Sequence, residues 1–152
     1  MTGDWQPPVA GSAISATVSV PGSKSLTNRY LILAALARSG SDLRGWLRSR
    51  DTLLMVEALR RLGAVIDEDE DELHIEPIPF AGGNAPAVQD SESITIDCGL
   101  AGTVMRFIPP LAALTGREVT LDGDEQARVR PMSVTIESLR ALGASITSAD
   151  GT

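Results

Sequence analysis

Cysteine and histidine occur once each in this chain of 152 residues, and aromatic residues make up only 3% of it. Cys98 alone cannot close an internal disulfide, which predicts a reducing compartment, the cytoplasm. With one histidine, His74, and one cysteine, no metal-ligand spacing is present, so no metal site is expected. No apolar run approaches the ~20 residues that a membrane-spanning helix needs. The segment from Met1 to Ala13 carries Asp4 and two prolines and lacks a basic region followed by an apolar one, so it does not read as a signal peptide. Basic residues are also in short supply, 13 against 20 acidic, for a net charge of −7. That balance excludes the broad basic surface of a nucleic-acid or anionic-membrane binder. An anionic ligand must therefore be held by a few locally placed Lys and Arg.

What is present in quantity is apolar sequence, 43%, and it is arranged in a repeat. One block runs from Ala16 to Ile78 and the other from Ser93 to the end. Each opens on a short alternating stretch, Ala16-Thr17-Val18-Ser19-Val20 and Ser93-Ile94-Thr95-Ile96. Gly22 and Gly99 follow, each with an arginine seven residues on, Arg29 and Arg106. Leu33-Ala34-Ala35-Leu36 is matched by Leu111-Ala112-Ala113-Leu114. Further on, Leu59-Arg60-Arg61-Leu62-Gly63-Ala64 is echoed by Leu139-Arg140-Ala141-Leu142-Gly143-Ala144.

Within a block the pattern reads strand, helix, strand, helix, hairpin. The first helix is expected from Ser25, with Leu26, Tyr30, Leu33 and Ala37 on one face and Ile32 and Leu36 on another, and so substantially buried. A short strand over Ser41 to Trp46 leads to a second helix with Asp51 as N-cap and Gly63 closing it. Ala64–Asp67 then pairs with Glu72–Pro77, the acidic run Asp67 to Asp71 forming a solvated tip. In the second block Pro131 suits a first helical turn, with Met132, Ile136 and Leu139 at helical spacing. Pro109 and Pro110 predict a kink or a late start in the other helix. The expected organisation is an extension over 1–15, a first unit over 16–78, a connector over 79–92 and a second unit over 93–152. The second unit stops within its hairpin at the turn signal Ala149-Asp150-Gly151, so the chain is expected to be truncated.

Three segments can carry chemistry. Pro21-Gly22-Ser23-Lys24-Ser25-Leu26-Thr27-Asn28-Arg29 leads a glycine loop into a helix whose first N–H groups and dipole favour an anion. Lys24 adds a charge, Ser25 a hydroxyl donor, and Arg29 a two-pronged contact. It is not a nucleotide-binding P-loop, because Ser23 precedes the lysine and Val18 stands where that motif needs its first glycine. In the second block, Cys98-Gly99-Leu100-Ala101-Gly102-Thr103 repeats the arrangement. There Gly102 permits close ligand approach, Thr103 is free to cap the helix or donate to an oxyanion, and Arg106 stands where Arg29 does. Arg128-Val129-Arg130-Pro131 adds two arginines, Arg130 extended by the following proline. Capped helices with solvated arginines remain an alternative for each segment taken alone. Cys98 reads as a small buried residue and His74 as a solvent-facing strand residue.

Taken together, Pro21-Gly22-Ser23-Lys24-Ser25 with Asn28-Arg29, Leu100-Ala101-Gly102-Thr103 with Arg106, and Arg128-Val129-Arg130-Pro131-Met132 resemble three ordered signatures of the 5-enolpyruvylshikimate 3-phosphate synthases. The resemblance runs from Ser15 to the end. It implies an α/β fold of repeated βαβαββ units in an inside-out barrel-like domain, one of two such domains in the full-length enzymes. It further implies transfer of the enolpyruvyl group of phosphoenolpyruvate to the 5-hydroxyl of shikimate 3-phosphate, by addition and elimination without a cofactor. By position, Lys24 would contact both substrates, Ser25 and Arg29 would hold shikimate 3-phosphate, and Gly102 and Arg130 would line the phosphoenolpyruvate site that glyphosate occupies. The full-length enzyme is expected to be monomeric, with no nucleic-acid or membrane partner, and the fragment alone inactive. Many members have asparagine where this chain has Leu100, which removes a polar side chain from that loop.

Two rivals stand beside this reading. The sister transferase acting on a UDP-amino sugar shares the fold and donor. It has asparagine where this chain has Ser25, and its loop cysteine lies in a different motif from Cys98. A non-catalytic anion-binding module is the other, and the broken second repeat argues against it.

Overall fold

The computed structural model describes residues 4–80 and 93–148. Ser23, whose side chain accepts from the Leu26 N–H at 3.4 Å, caps helix α1, Lys24–Ala35. Strand β1, Ser41–Arg44, and helix α2, Arg50–Leu62, follow. Gly63 ends α2 in the left-handed conformation, φ 110°, as its position predicted. The hairpin is β2, Val65–Asp69, with β3, Glu72–Glu76, as expected within two residues at each end. In the second block come β4 (Ile94–Asp97), α3 (Gly102–Thr115), β5 (Val119–Asp122), the short α4 (Glu125–Arg128) and α5 (Ser133–Ala141).

The strands form two sheets. β1-β3-β2 is antiparallel throughout, with β3 central and Ile66 opposite Ile75. β4 and β5 pair in parallel, Ile96 opposite Leu121. Alternation places Ile66, Leu73 and Ile75 inward, and Ile94 and Ile96 likewise. Helix α2 packs against α1, α3 and β4. Its stripe of Met55, Val56, Leu59 and Leu62, joined by Leu31, Ile96, Val104 and Ile108, makes one core shared by both blocks. Each fully buried Leu or Ile contributes about 1.5–3 kcal/mol.

Several expectations are corrected. Ala16–Val20 is no strand: it has no pairing partner among the described residues, and Val18 and Val20 are exposed. α1 buries the opposite face from the one its large residues suggested. Thr27, Asn28, Leu31, Ala34 and Ala35 point inward, while Leu26, Tyr30 and Leu33 are more than half exposed. Two polar side chains decide this, Thr27 accepting from the Leu47 N–H and Asn28 reaching α3, and the small alanines let the neighbouring elements come close. The N-cap of α2 is Ser49 rather than Asp51. Its hydroxyl accepts from the Thr52 N–H, and Thr52 Oγ1 accepts from the Ser49 N–H at 2.9 Å. Despite Pro109 and Pro110, α3 starts early, at Gly102. The acidic run is not wholly solvated, since Glu68 pairs with Arg48 and Arg60. The expected connector, apart from Pro79 and Phe80, and the turn at Ala149-Asp150-Gly151 lie outside the described residues.

Candidate functional site

The first turn of α1 is anchored through Gly22. A Cβ there would collide with the Gly45 carbonyl oxygen, so only glycine lets the loop lie this close to the turn between β1 and α2. Lys24, in that first turn, forms an ion pair with Asp51 Oδ2 at 2.8 Å. Asp51 sits in the first turn of α2, beside Arg50. Arg50 in turn makes a two-pronged contact with Asp124, the N-cap of α4, at 2.8 and 2.9 Å. One turn into α1, Asn28 donates to Thr103 Oγ1 in the first turn of α3 at 2.6 Å. The starts of α1, α2, α3 and α4 are thus tied to one another, and the positive ends of four helices gather in one region.

Of the arginines read from the sequence, Arg29 donates to the Ser25 carbonyl at 2.9 Å and lies over the Phe107 ring, 5.7 Å from its centroid. Arg106 repeats the first contact four residues back, to the Gly102 carbonyl at 3.3 Å. Arg130 reaches across from the loop after α4 to donate to the Leu100 carbonyl at 3.0 Å. A Cβ at Gly102 would meet Arg106 Nη1 at 3.2 Å and Arg130 Nη1 at 3.3 Å. Two guanidinium groups therefore converge on the one residue without a side chain. Each of these three arginines is bonded to a backbone carbonyl, and none has a carboxylate at ion-pair distance among the described residues. Arg128 differs, being tied to Asp122 by two contacts of 2.9 Å. That contact holds the Asp122 carboxyl below the usual range, and Arg50 does the same to Asp124.

At Leu100 the contact with Arg130 uses the backbone carbonyl and so does not depend on the side chain there. Ser25 is exposed in the first turn of α1. Cys98 is buried, and burial pushes its thiol up to about 11, so it stays protonated and unreactive near neutrality. His74 lies on the exposed face of β3 between Asp42 and Glu76. Sequence reasoning missed Asp51, Arg50 and Asp124 as partners and took Asn28 only as part of a motif. Their contacts span 27 to 75 residues of chain, and no local pattern encodes them.

A repeated α/β unit whose glycine loops and helix starts collect arginines is an arrangement suited to anions. The model of the family EPSP synthase (3-phosphoshikimate 1-carboxyvinyltransferase) matches residues 8–152, and the chain belongs to that family. It is 53% identical over 146 residues to the 3-phosphoshikimate 1-carboxyvinyltransferase of Kocuria rhizophila, covering 91% of this chain. With the enzyme of the same name from Mycobacterium ulcerans it shares 48% over 153 residues, covering 95% of this chain. It spans 32% of the length of each of these two relatives. Two structures of EPSP synthase from Acinetobacter baumannii superpose with TM-scores of 0.71 and 0.73 at 28% and 29% identity, over 89% of this chain and 30% of theirs. No helix among the described residues is long and apolar enough to cross a membrane.

Proposed function

We propose that this chain provides part of the substrate site of an enzyme that transfers the enolpyruvyl group of phosphoenolpyruvate to shikimate 3-phosphate. In that reaction the 5-hydroxyl oxygen bonds to C2 of phosphoenolpyruvate while C3 gains a proton. The tetrahedral adduct then loses phosphate and a C3 proton to restore the double bond. The observation that carries the reading is the convergence of Arg106 and Arg130 on Gly102, beside helix starts that also present Lys24 and Arg29, in a chain of net charge −7. Arg106 and Arg130, which donate to backbone carbonyls and pair with no carboxylate among the described residues, suit ligands that bring their own negative charge.

In this reading Gly102 and Arg130 line the phosphoenolpyruvate site, and Ser25 and Arg29 hold shikimate 3-phosphate. Lys24 contacts both substrates, exchanging Asp51 for an incoming anion. The units over 16–78 and 93–152 each present one glycine loop, and the compartment is the cytoplasm. Cys98, buried and in a different motif, does not supply the loop cysteine that the sister transferase uses.

The test joins this chain to the remaining two thirds of the Kocuria rhizophila relative and follows phosphate release. Release that needs both substrates, and falls at least ~100-fold in Lys24→Ala, is the expected result. Release independent of shikimate 3-phosphate, or none at all, would overturn the reading. The chain by itself is expected to release no phosphate.

A further inference from the structure

Asn28 is fully buried at 0% exposure, yet its Oδ1 has no hydrogen-bond partner. Its Nδ2 donates to Thr103 Oγ1 at 2.6 Å. A fully buried carboxamide half satisfied in this way costs stability, and its retention calls for a reason. Thr103 supplies one. It lies in the first turn of α3, whose N-cap residue, Ala101, has no side chain that could cap the helix. By accepting from Asn28, the Thr103 oxygen is fixed in place, and its own proton is left to donate elsewhere. Thr103 is half-buried and adjoins Gly102, on which Arg106 and Arg130 converge.

We propose that Asn28 is a positioning residue that sets the direction of the Thr103 hydroxyl, keeping it a donor to the anion bound at Gly102. This rests on the proposed function for the identity of the anion, phosphoenolpyruvate, but not for the presence of an anion. Asn28 belongs to the first repeat and Thr103 to the second, so the bond makes the anion site of one repeat depend on a side chain of the other.

The test uses the joined full-length enzyme described above. Asn28→Ala removes the donor. Asn28→Asp keeps the shape but accepts only, turning the Thr103 proton inward. Both are expected to raise KM for phosphoenolpyruvate about tenfold while kcat changes less than about threefold. Thr103→Val added to Asn28→Ala is expected to cost little more, since the first loss already misdirects the hydroxyl that the second removes. A second measurement needs no turnover: inorganic phosphate is titrated while the ¹⁵N-labelled Thr103 amide is observed. Phosphate should shift that amide in the parent enzyme and at least about tenfold more weakly in Asn28→Asp.

A KM within twofold of the parent in Asn28→Asp, or losses that multiply in the double variant, would overturn the proposal. If the Asn28 variants fail to fold, Thr103→Ser and Thr103→Val decide it. Equal phosphate affinity in those two would show that the hydroxyl donates nothing. A parent enzyme without shikimate 3-phosphate-dependent turnover defeats the functional reading alone, because the phosphate titration still decides the role of Asn28.

Discussion

The two repeats share landmarks but divide the work between structure and ligand. In the first, α1 and α2 are both capped by serine side chains, and three antiparallel strands close the sheet. Its cations Lys24, Arg44, Arg48 and Arg60 are paired with carboxylates. In the second, α3, α4 and α5 have no side-chain cap, and the sheet has two strands among the described residues. Arg106 and Arg130 rest there on backbone carbonyls. Two arginine contacts survive in both copies: Arg29 to the Ser25 carbonyl with Arg106 to the Gly102 carbonyl, and Arg60 to the Ile66 carbonyl with Arg140 to the Ile146 carbonyl. A repeat can thus keep its framework bonds while one copy gives up side-chain capping, even where Arg128 still pairs with Asp122. The groups so released are the ones an anion can use.

The widest separation between the copies is expected at a pair of matched leucines. Leu62 is 3% exposed and its counterpart Leu142 is 84% exposed. Leu62→Ala should lower unfolding stability by about 2–5 kcal/mol and Leu142→Ala by less than about 0.5 kcal/mol, measured by urea denaturation of the joined enzyme. Similar losses would mean that the repeats share the core equally.

Gly102→Ala tests the ligand side of the contrast. Its new methyl meets two guanidinium groups, so binding of phosphoenolpyruvate and of glyphosate is expected to weaken, on the order of tenfold, with little change in stability. Unchanged glyphosate inhibition would remove Gly102 from that site.

A smaller effect is expected at Ser49, whose replacement by alanine deletes a capping box and should cost about 1 kcal/mol. The second repeat has no such bond to lose, and a neutral Ser49→Ala would erase the distinction in capping. The smallest effect belongs to His74, raised above 6.5 by Asp42 and then Glu76. Because the folded value is the higher one, its contribution is complete below the unfolded value of 6.5 and is lost as pH rises through the folded value. The group is exposed, so only a slight slope is expected, and His74→Asn should flatten it; an NMR titration of the ring checks the direction.

The hairpin of the first block and Gly63 as a helix stop were legible from spacing, because each rests on contacts within a few residues. The face that α1 buries was not. Leu26, Tyr30 and Leu33 outweigh Thr27 and Asn28 on any hydrophobic pattern, yet the two polar residues have partners 20 and 75 positions away that draw them inward. Asp51 shows the same limit. Locally it and Ser49 are both acceptable caps, and the choice left Asp51 free for Lys24.

The sequence by itself determined the family, the α/β repeat and which cations stand in glycine loops, since motif order and local periodicity carry that information. Only the tertiary structure decided which of those cations are neutralised, which helix face is buried and which side chain Asn28 meets. Those outcomes depend on pairings between residues remote in the chain, where burial and hydrogen-bond geometry outweigh local preference.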